Sequence, residues 1–121
     1  MTTTDRNRKN LMLLLEGLTT GKLLEAFDQV YADDVVMMEN AVPDPNRTNK
    51  AANRAYEQYF VDNATWHDAK LGPVIVDGDH SCYEMYMDLT FQGTRMQRTQ
   101  VAMQTWNKDG KICKEVFYYK G

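Results

Sequence analysis

The sequence predicts an α+β domain in which helices cover one face of an antiparallel sheet. Three observations predict it. Apolar residues recur at helical spacing through most of the first half, they alternate with period two from Thr65 onward, and turn dipeptides punctuate the second half at short intervals. Helices first and consecutive hairpins afterwards make an α+β arrangement rather than a parallel α/β one.

Each element has its own signal. Leu11, Leu14, Leu15 and Leu18 fall at i, i+3, i+4 and i+7, a single apolar stripe that Thr4 or Asp5 would cap and Thr19-Thr20-Gly21 would end. Leu23, Phe27, Val30 and Tyr31 share the face of a second, short helix that stops at Asp33-Asp34. Residues 35–38 form a short apolar run, β-branched at its start, and read as a strand ending near Glu39-Asn40. A loop carrying Pro43 and Pro45 follows, too short to link two domains. Residues 48–61 return to helix, with Ala52, Ala55, Tyr56, Tyr59 and Phe60 as its expected apolar stripe.

The strands come next. Residues 66–71 form one, broken near Gly72-Pro73, and residues 74–76 continue it to the turn Asp77-Gly78-Asp79. Tyr83, Met85, Met87, Leu89 and Phe91 alternate with Glu84, Tyr86, Asp88 and Thr90. Alternation alone does not say which set faces inward, because a one-residue slip exchanges the faces. Gln92-Gly93 is a hairpin signal, residues 99–106 are the next strand, and Asp109-Gly110 marks a tight turn before a last strand over residues 111–120.

Composition narrows the function classes. The chain has 121 residues, 43% hydrophobic and 26% charged, which suits one domain with its own core. A net charge of −3 gives no concentrated positive field for nucleic acid. No apolar run approaches a membrane span, and the one behind Arg6, Arg8 and Lys9 stops at Glu16 without a cleavage site, so it reads as helix rather than leader. Cys82 and Cys113 lie far apart, which favours a reduced, cytoplasmic setting. Two isolated histidines and no cysteine pair predict no metal, and no phosphate loop or other cofactor motif is present. Tyr31-Ala32-Asp33-Asp34 matches a polymerase metal motif only in letters, because that chemistry needs a much larger chain. The later strands carry large side chains on both faces, which predicts a homodimer through the outer face of the sheet.

The segment Tyr31-Ala32-Asp33-Asp34-Val35-Val36-Met37-Met38-Glu39-Asn40 resembles the helix-to-strand junction of the nuclear transport factor 2-like superfamily, its SnoaL-like branch in particular. Tyr56-Glu57-Gln58-Tyr59-Phe60, the turn at Asp77-Gly78-Asp79 and the closing stretch from Trp106 to Ile112 with Phe117-Tyr118-Tyr119 agree with it in order and spacing. The resemblance covers nearly the whole chain as a single domain. It implies a cone, a strongly curved antiparallel sheet wrapped around three N-terminal helices with a cavity open at one end. It also implies a function among isomerases, polyketide cyclases, dehydratases, epoxide hydrolases or non-catalytic modules, since this fold does not fix the reaction.

The resemblance places Glu39 where related ketosteroid isomerases carry their proton-shuttling carboxylate. A carboxylate at the rim of an apolar cavity is desolvated and suits a base near neutral pH. The isomerase's proton-donating partners do not carry over, because the matching positions are near Leu14 and at Ala102. Alternation and the resemblance together turn Gln100, Ala102 and Gln104 inward, with Cys113, Glu115, Phe117 and Tyr119 on the next strand and Met85 and Met87 on the neighbouring one. Tyr56, Phe60 and Trp66 complete the expected ligand-binding wall. Asn40 either binds the ligand or starts the turn. Glu115 is a second candidate acid or base, and His67 a third, as the histidine nearest the expected mouth. The expected ligand is a small apolar or carbonyl-containing molecule. Two functions fit: an isomerase, cyclase or dehydratase using a carboxylate base, or a dimeric binding or assembly module with a vestigial cavity.

Overall fold

The computed structural model describes residues 1–120. It contains helices α1 (Thr3–Thr20), α2 (Leu23–Val30) and α3 (Lys50–Asn63), and strands β1 (Tyr31–Glu39), β2 (Ala64–Asp77), β3 (His80–Phe91), β4 (Thr94–Trp106) and β5 (Ile112–Tyr118). The expected order of elements is present. The strands form one sheet in the order β1-β5-β4-β3-β2. The sheet is mixed rather than wholly antiparallel, because β1 pairs parallel to β5 while the other pairs are antiparallel. A parallel pair needs a long crossover, and here α3 and three strands supply it.

Helix α1 starts two residues earlier than a Thr4 cap, and three earlier than an Asp5 cap, would set. Thr2 is the cap, in a reciprocal pair with Asp5. It ends on Gly21 in the left-handed region, as expected. Gly17 sits where an added Cβ would lie 2.6 Å from the Cβ of Ala26, so its lack of a side chain lets α1 and α2 meet. Strand β1 begins at Tyr31, earlier than the apolar run suggested, and β2 continues through Gly72-Pro73 with only a shift of register between Leu71 and Val74.

The core lies between the helices and one sheet face. Leu11, Leu14 and Leu15 of α1 and Phe27 and Val30 of α2 pack with Tyr83, Met85 and Leu89 of β3, Ala102 and Trp106 of β4 and Ile112 of β5. That assigns the odd-numbered residues of β3 to the interior. The N-terminal end of α1 is tied to the turns at one end of the sheet: Asn7 Nδ2 donates to Gly78 O at 2.9 Å, Asn10 Nδ2 to Gly110 O at 2.8 Å and Arg6 Nη1 to Lys108 O at 2.7 Å. These bonds fasten the helix to that end of the sheet.

Two expected faces differ. On β5, Trp106 pairs with Ile112 and Thr105 with Lys114, so Cys113 is the extra residue of a bulge. Ile112, not Cys113, therefore enters the core. On α3, Tyr56 and Tyr59 are exposed, and the fully buried residue is Asn53. The helix turns the row of Asn53, Glu57 and Phe60 toward the interior and leaves Tyr59 of the expected stripe outside.

Candidate functional site

The polar row of α3 exists because β1 and its loop need it. After Glu39 the chain reverses through Asn40 and Ala41, both in the left-handed region at φ 50° and 59°. The returning loop brings Arg47 against β1, where its carbonyl accepts from Met37 N at 3.1 Å. Arg47 is only 3% exposed, so its guanidinium must find partners inside the protein. Nε donates to Asn53 Oδ1 at 3.1 Å, Nη1 donates to Glu39 Oε1 at 3.3 Å, and the group lies over the Tyr56 ring, 4.0 Å from its centroid. Asn53 Nδ2 in turn reaches the carbonyls of Val35, Arg47 and Asn49. Asn53 thus locks the helix, the strand and the arginine loop together.

Glu57 is one turn beyond Asn53 and Phe60 one turn further, at i, i+4 and i+7. Glu57 is half-buried and lines a cavity of about 170 Å³ with Glu39, Arg47, Tyr83 and Gln100. Neither its carboxyl nor the Tyr83 hydroxyl makes a hydrogen bond to protein among the described residues. The apolar wall is Leu14, Phe27, Phe60, Met85, Met87 and Phe117. Glu39 Oε2 is buried at the rim without a partner.

Glu115 closes the floor and is fully buried. The Tyr31 hydroxyl donates to its Oε1, and Gln104 Nε2 donates to its Oε2 at 2.7 Å. Behind it the chain continues: Ser81 Oγ donates to Gln104 Oε1 at 2.7 Å and Trp106 Nε1 to Ser81 Oγ at 2.8 Å. Every group in this relay is occupied, so Glu115 is held in one orientation.

Burial pushes the Glu57 carboxyl up to about 7; Arg47 opposes the shift, and the charges of Glu115 and Glu39 add to it. Glu115 is likewise pushed up to about 7 by burial, against the lowering effect of its bonds from Tyr31 and Gln104. The Tyr31 and Tyr83 hydroxyls are raised well above the ordinary phenol range by burial, then by the Glu115 carboxylate, and so remain donors. The Glu57 carboxyl, poised near neutrality on the cavity wall, can exchange a proton with a bound molecule, and the protonated Tyr83 phenol can hydrogen-bond the oxygen on which charge develops. Among the described residues, no three His, Cys, Asp or Glu side chains gather as a metal site.

The structure brings most of the predicted residues together. Glu39, Tyr56, Phe60, Trp66, Met85, Met87, Gln100, Phe117 and Tyr119 line the one cavity, with Glu115 bonded to its Tyr31. Three lie elsewhere. Asn40 starts the turn, donating its N–H to Phe117 O at 2.7 Å and accepting from Tyr119 N at 2.9 Å. Gln104 stands behind Glu115 rather than on the lining. His67 is the extra residue where the register shifts between Trp66 and Asp68, and its ring meets the Thr90 hydroxyl at 2.7 Å on an exposed part of the sheet. Sequence reasoning missed Arg47, Glu57, Tyr31 and Tyr83. The spacing of Asn53, Glu57 and Phe60 is the signal for Glu57; Arg47, in an irregular loop, has none.

The family profile described as SnoaL-like domain matches residues 13–115. The chain belongs to the SnoaL-like domain family. It therefore belongs to the nuclear transport factor 2-like superfamily, and its α+β cone is that fold. No curated protein matches it. Among solved structures, a SnoaL-like polyketide cyclase candidate from Mesorhizobium loti is 28% identical over 98% of this chain and 100% of its own, with a TM-score of 0.79. An LEH-like epoxide hydrolase from M. tuberculosis is 15% identical over 97% of this chain and 84% of its own, TM-score 0.78. A ketosteroid isomerase candidate from Kribbella flavida is 19% identical over 100% and 82%, TM-score 0.77. The last two are similar in fold alone.

Proposed function

We propose that this SnoaL-like protein binds a small, largely apolar carbonyl compound in the cavity and moves a proton on it, as an isomerase, cyclase or dehydratase does. The observation that carries this reading is the Glu57 carboxyl, set in the cavity wall without a protein partner and pushed up to about 7 by its surroundings. Glu57 takes the proton from the carbon next to the carbonyl, and the Tyr83 hydroxyl holds the oxygen as negative charge moves onto it. Glu115 and Tyr31 beneath them hold a second exchangeable proton. Glu39, the base expected from the resemblance, is tied to Arg47 at the rim, and the pair serves better to position the ligand and shield the interior. A space of about 170 Å³ suits a molecule of roughly one ring, since an apolar cavity of about 150 Å³ accommodates benzene.

The test is a panel of enolisable cyclic ketones and β-dicarbonyl compounds, followed for solvent-deuterium exchange by NMR. Glu57→Gln should lower exchange at least about 100-fold, the usual worth of a positioned acid or base, and Glu39→Gln much less. Full exchange by Glu57→Gln would reject the assignment, and the reverse order would return the role to Glu39.

A second reading, a binding module without turnover, is favoured by Leu14 and Ala102, core residues at the positions matching the isomerase's proton donors. Binding across the panel with no exchange would support it. We also propose a homodimer through the outer sheet face, where Ile75, Met103 and Tyr118 remain exposed. Free Cys82 and Cys113 suit a reduced, cytoplasmic setting. Among the described residues no helix is long and apolar enough to cross a membrane.

A further inference from the structure

A second recess, of about 460 Å³, adjoins the cavity. Its walls come from the turn after α1, the first turn of α2, Val61 near the end of α3 and the start of β2 from Trp66 to Ala69. Leu18, Leu23 and Trp66 line both spaces and so belong to the wall between them. Leu18 and Leu23 pack against the edge of the core without being buried in it. Trp66 is 38% exposed and rests edge-on against Phe60, ring centroids 6.3 Å apart. The apolar part of the recess, with Leu24, Val61 and Ala69, lies next to that wall, whereas Lys22, Glu25 and Asp68 bring charges of both signs.

We propose that cavity and recess are two compartments of one binding site, and that the ligand carries an unbranched apolar tail passing between Leu18, Leu23 and Trp66 into the recess. The identity of the head group rests on the proton-transfer reading above; the tail does not. The inner cavity is filled by about one ring, so a larger ligand must extend, and the wall shared with the recess is where it can. The mixed charges of Lys22, Glu25 and Asp68 offer no field of one sign for a charged tail end, and the apolar walls reward methylenes. Each methylene moved from water into the recess should tighten binding about fourfold.

The experiment measures dissociation constants by calorimetry for two series, straight-chain methyl ketones and straight-chain 1-alkanols, each from four to about twelve carbons. In the wild type affinity should rise with length in both series and level off once the recess is full. Ala69→Phe fills the recess and Leu24→Asn makes its wall polar; each should flatten the dependence on length while leaving the shortest ligands unchanged. Circular dichroism and light scattering confirm that fold and oligomeric state are preserved. No gain with length in the wild type, or an undiminished gain in both variants, overturns the proposal. So does a changed oligomeric state in both variants, which would make the recess a contact between copies. A gain in both series without exchange on any ketone keeps the two-compartment site and removes the head-group chemistry.

Discussion

Helices α1 and α3 carry similar apolar spacing and end up packed in opposite ways. α1 buries its leucines, with Leu11, Leu14 and Leu15 at 1% exposure or less. α3 leaves Tyr59 outside and buries Asn53, with Glu57, Phe60 and the half-exposed Tyr56 turned to the cavity. α1 is held by non-directional burial, so its partners need only be apolar and of the right size. α3 is held by directional bonds: without Asn53, the buried Arg47 Nε and the carbonyl of Val35 would lose the side chain that pairs them. The helix that carries the candidate chemistry is thus fixed by a polar network, and its hydrophobic pattern was a poor guide to its orientation.

The largest expected effect breaks that contrast at its centre. Asn53→Leu should cost about 4 kcal/mol in urea unfolding, because it removes together the partner of the buried Arg47 Nε and the donor to the buried carbonyls of Val35 and Arg47. Leu14→Ala on α1 should cost about 3 kcal/mol, the ordinary loss for a leucine deleted from a packed core. A polar change that costs less than the leucine deletion would show that packing, not the network, holds α3.

The pH dependence of stability sharpens the comparison. The Glu57 and Glu115 carboxyls stand at about 7 in the folded protein against 4.5 for the ordinary group. The folded state holds those protons more tightly than the unfolded state. Their contribution is full below pH 4.5, is lost as pH rises through about 7, and does not decline further above it. A shift of that size corresponds to roughly 3 kcal/mol for one group. Chemical denaturation at several pH values should show the decline, and Glu57→Gln should remove about half of it. The smallest effect lies on the outward face of α3: Tyr59→Ser should change stability by no more than about 0.5 kcal/mol, apart from its edge contact with Phe91.

Particular residues show what was legible in the sequence. The alternation of β3 and β4 survived into the structure because the sheet has one packed face, and a single face enforces period two. It placed Met85, Met87 and Gln100 on the cavity. His67 and Cys113 did not follow their alternation because each is the extra residue of a bulge, and a bulge leaves no mark in a pattern of apolar and polar letters. The parallel pairing of β1 with β5 is set by residues about 80 apart in the chain. Arg47 reaches the site from an irregular loop, so neither propensity nor period pointed to it. Glu57 was hidden because a charged residue on a helix ordinarily belongs to the solvent face; only the row it forms with Asn53 and Phe60 discloses the inward one.

The central claim is that the Glu57 carboxyl sits in the cavity wall and holds its proton to near neutrality. Carbon-13 NMR of the protein labelled at its glutamate carboxyls, titrated from pH 3 to pH 9, tests it most directly. The account predicts a resonance with a midpoint at about 7 that disappears in Glu57→Gln. A Glu57 resonance that titrates in the ordinary range near 4.5 would contradict it.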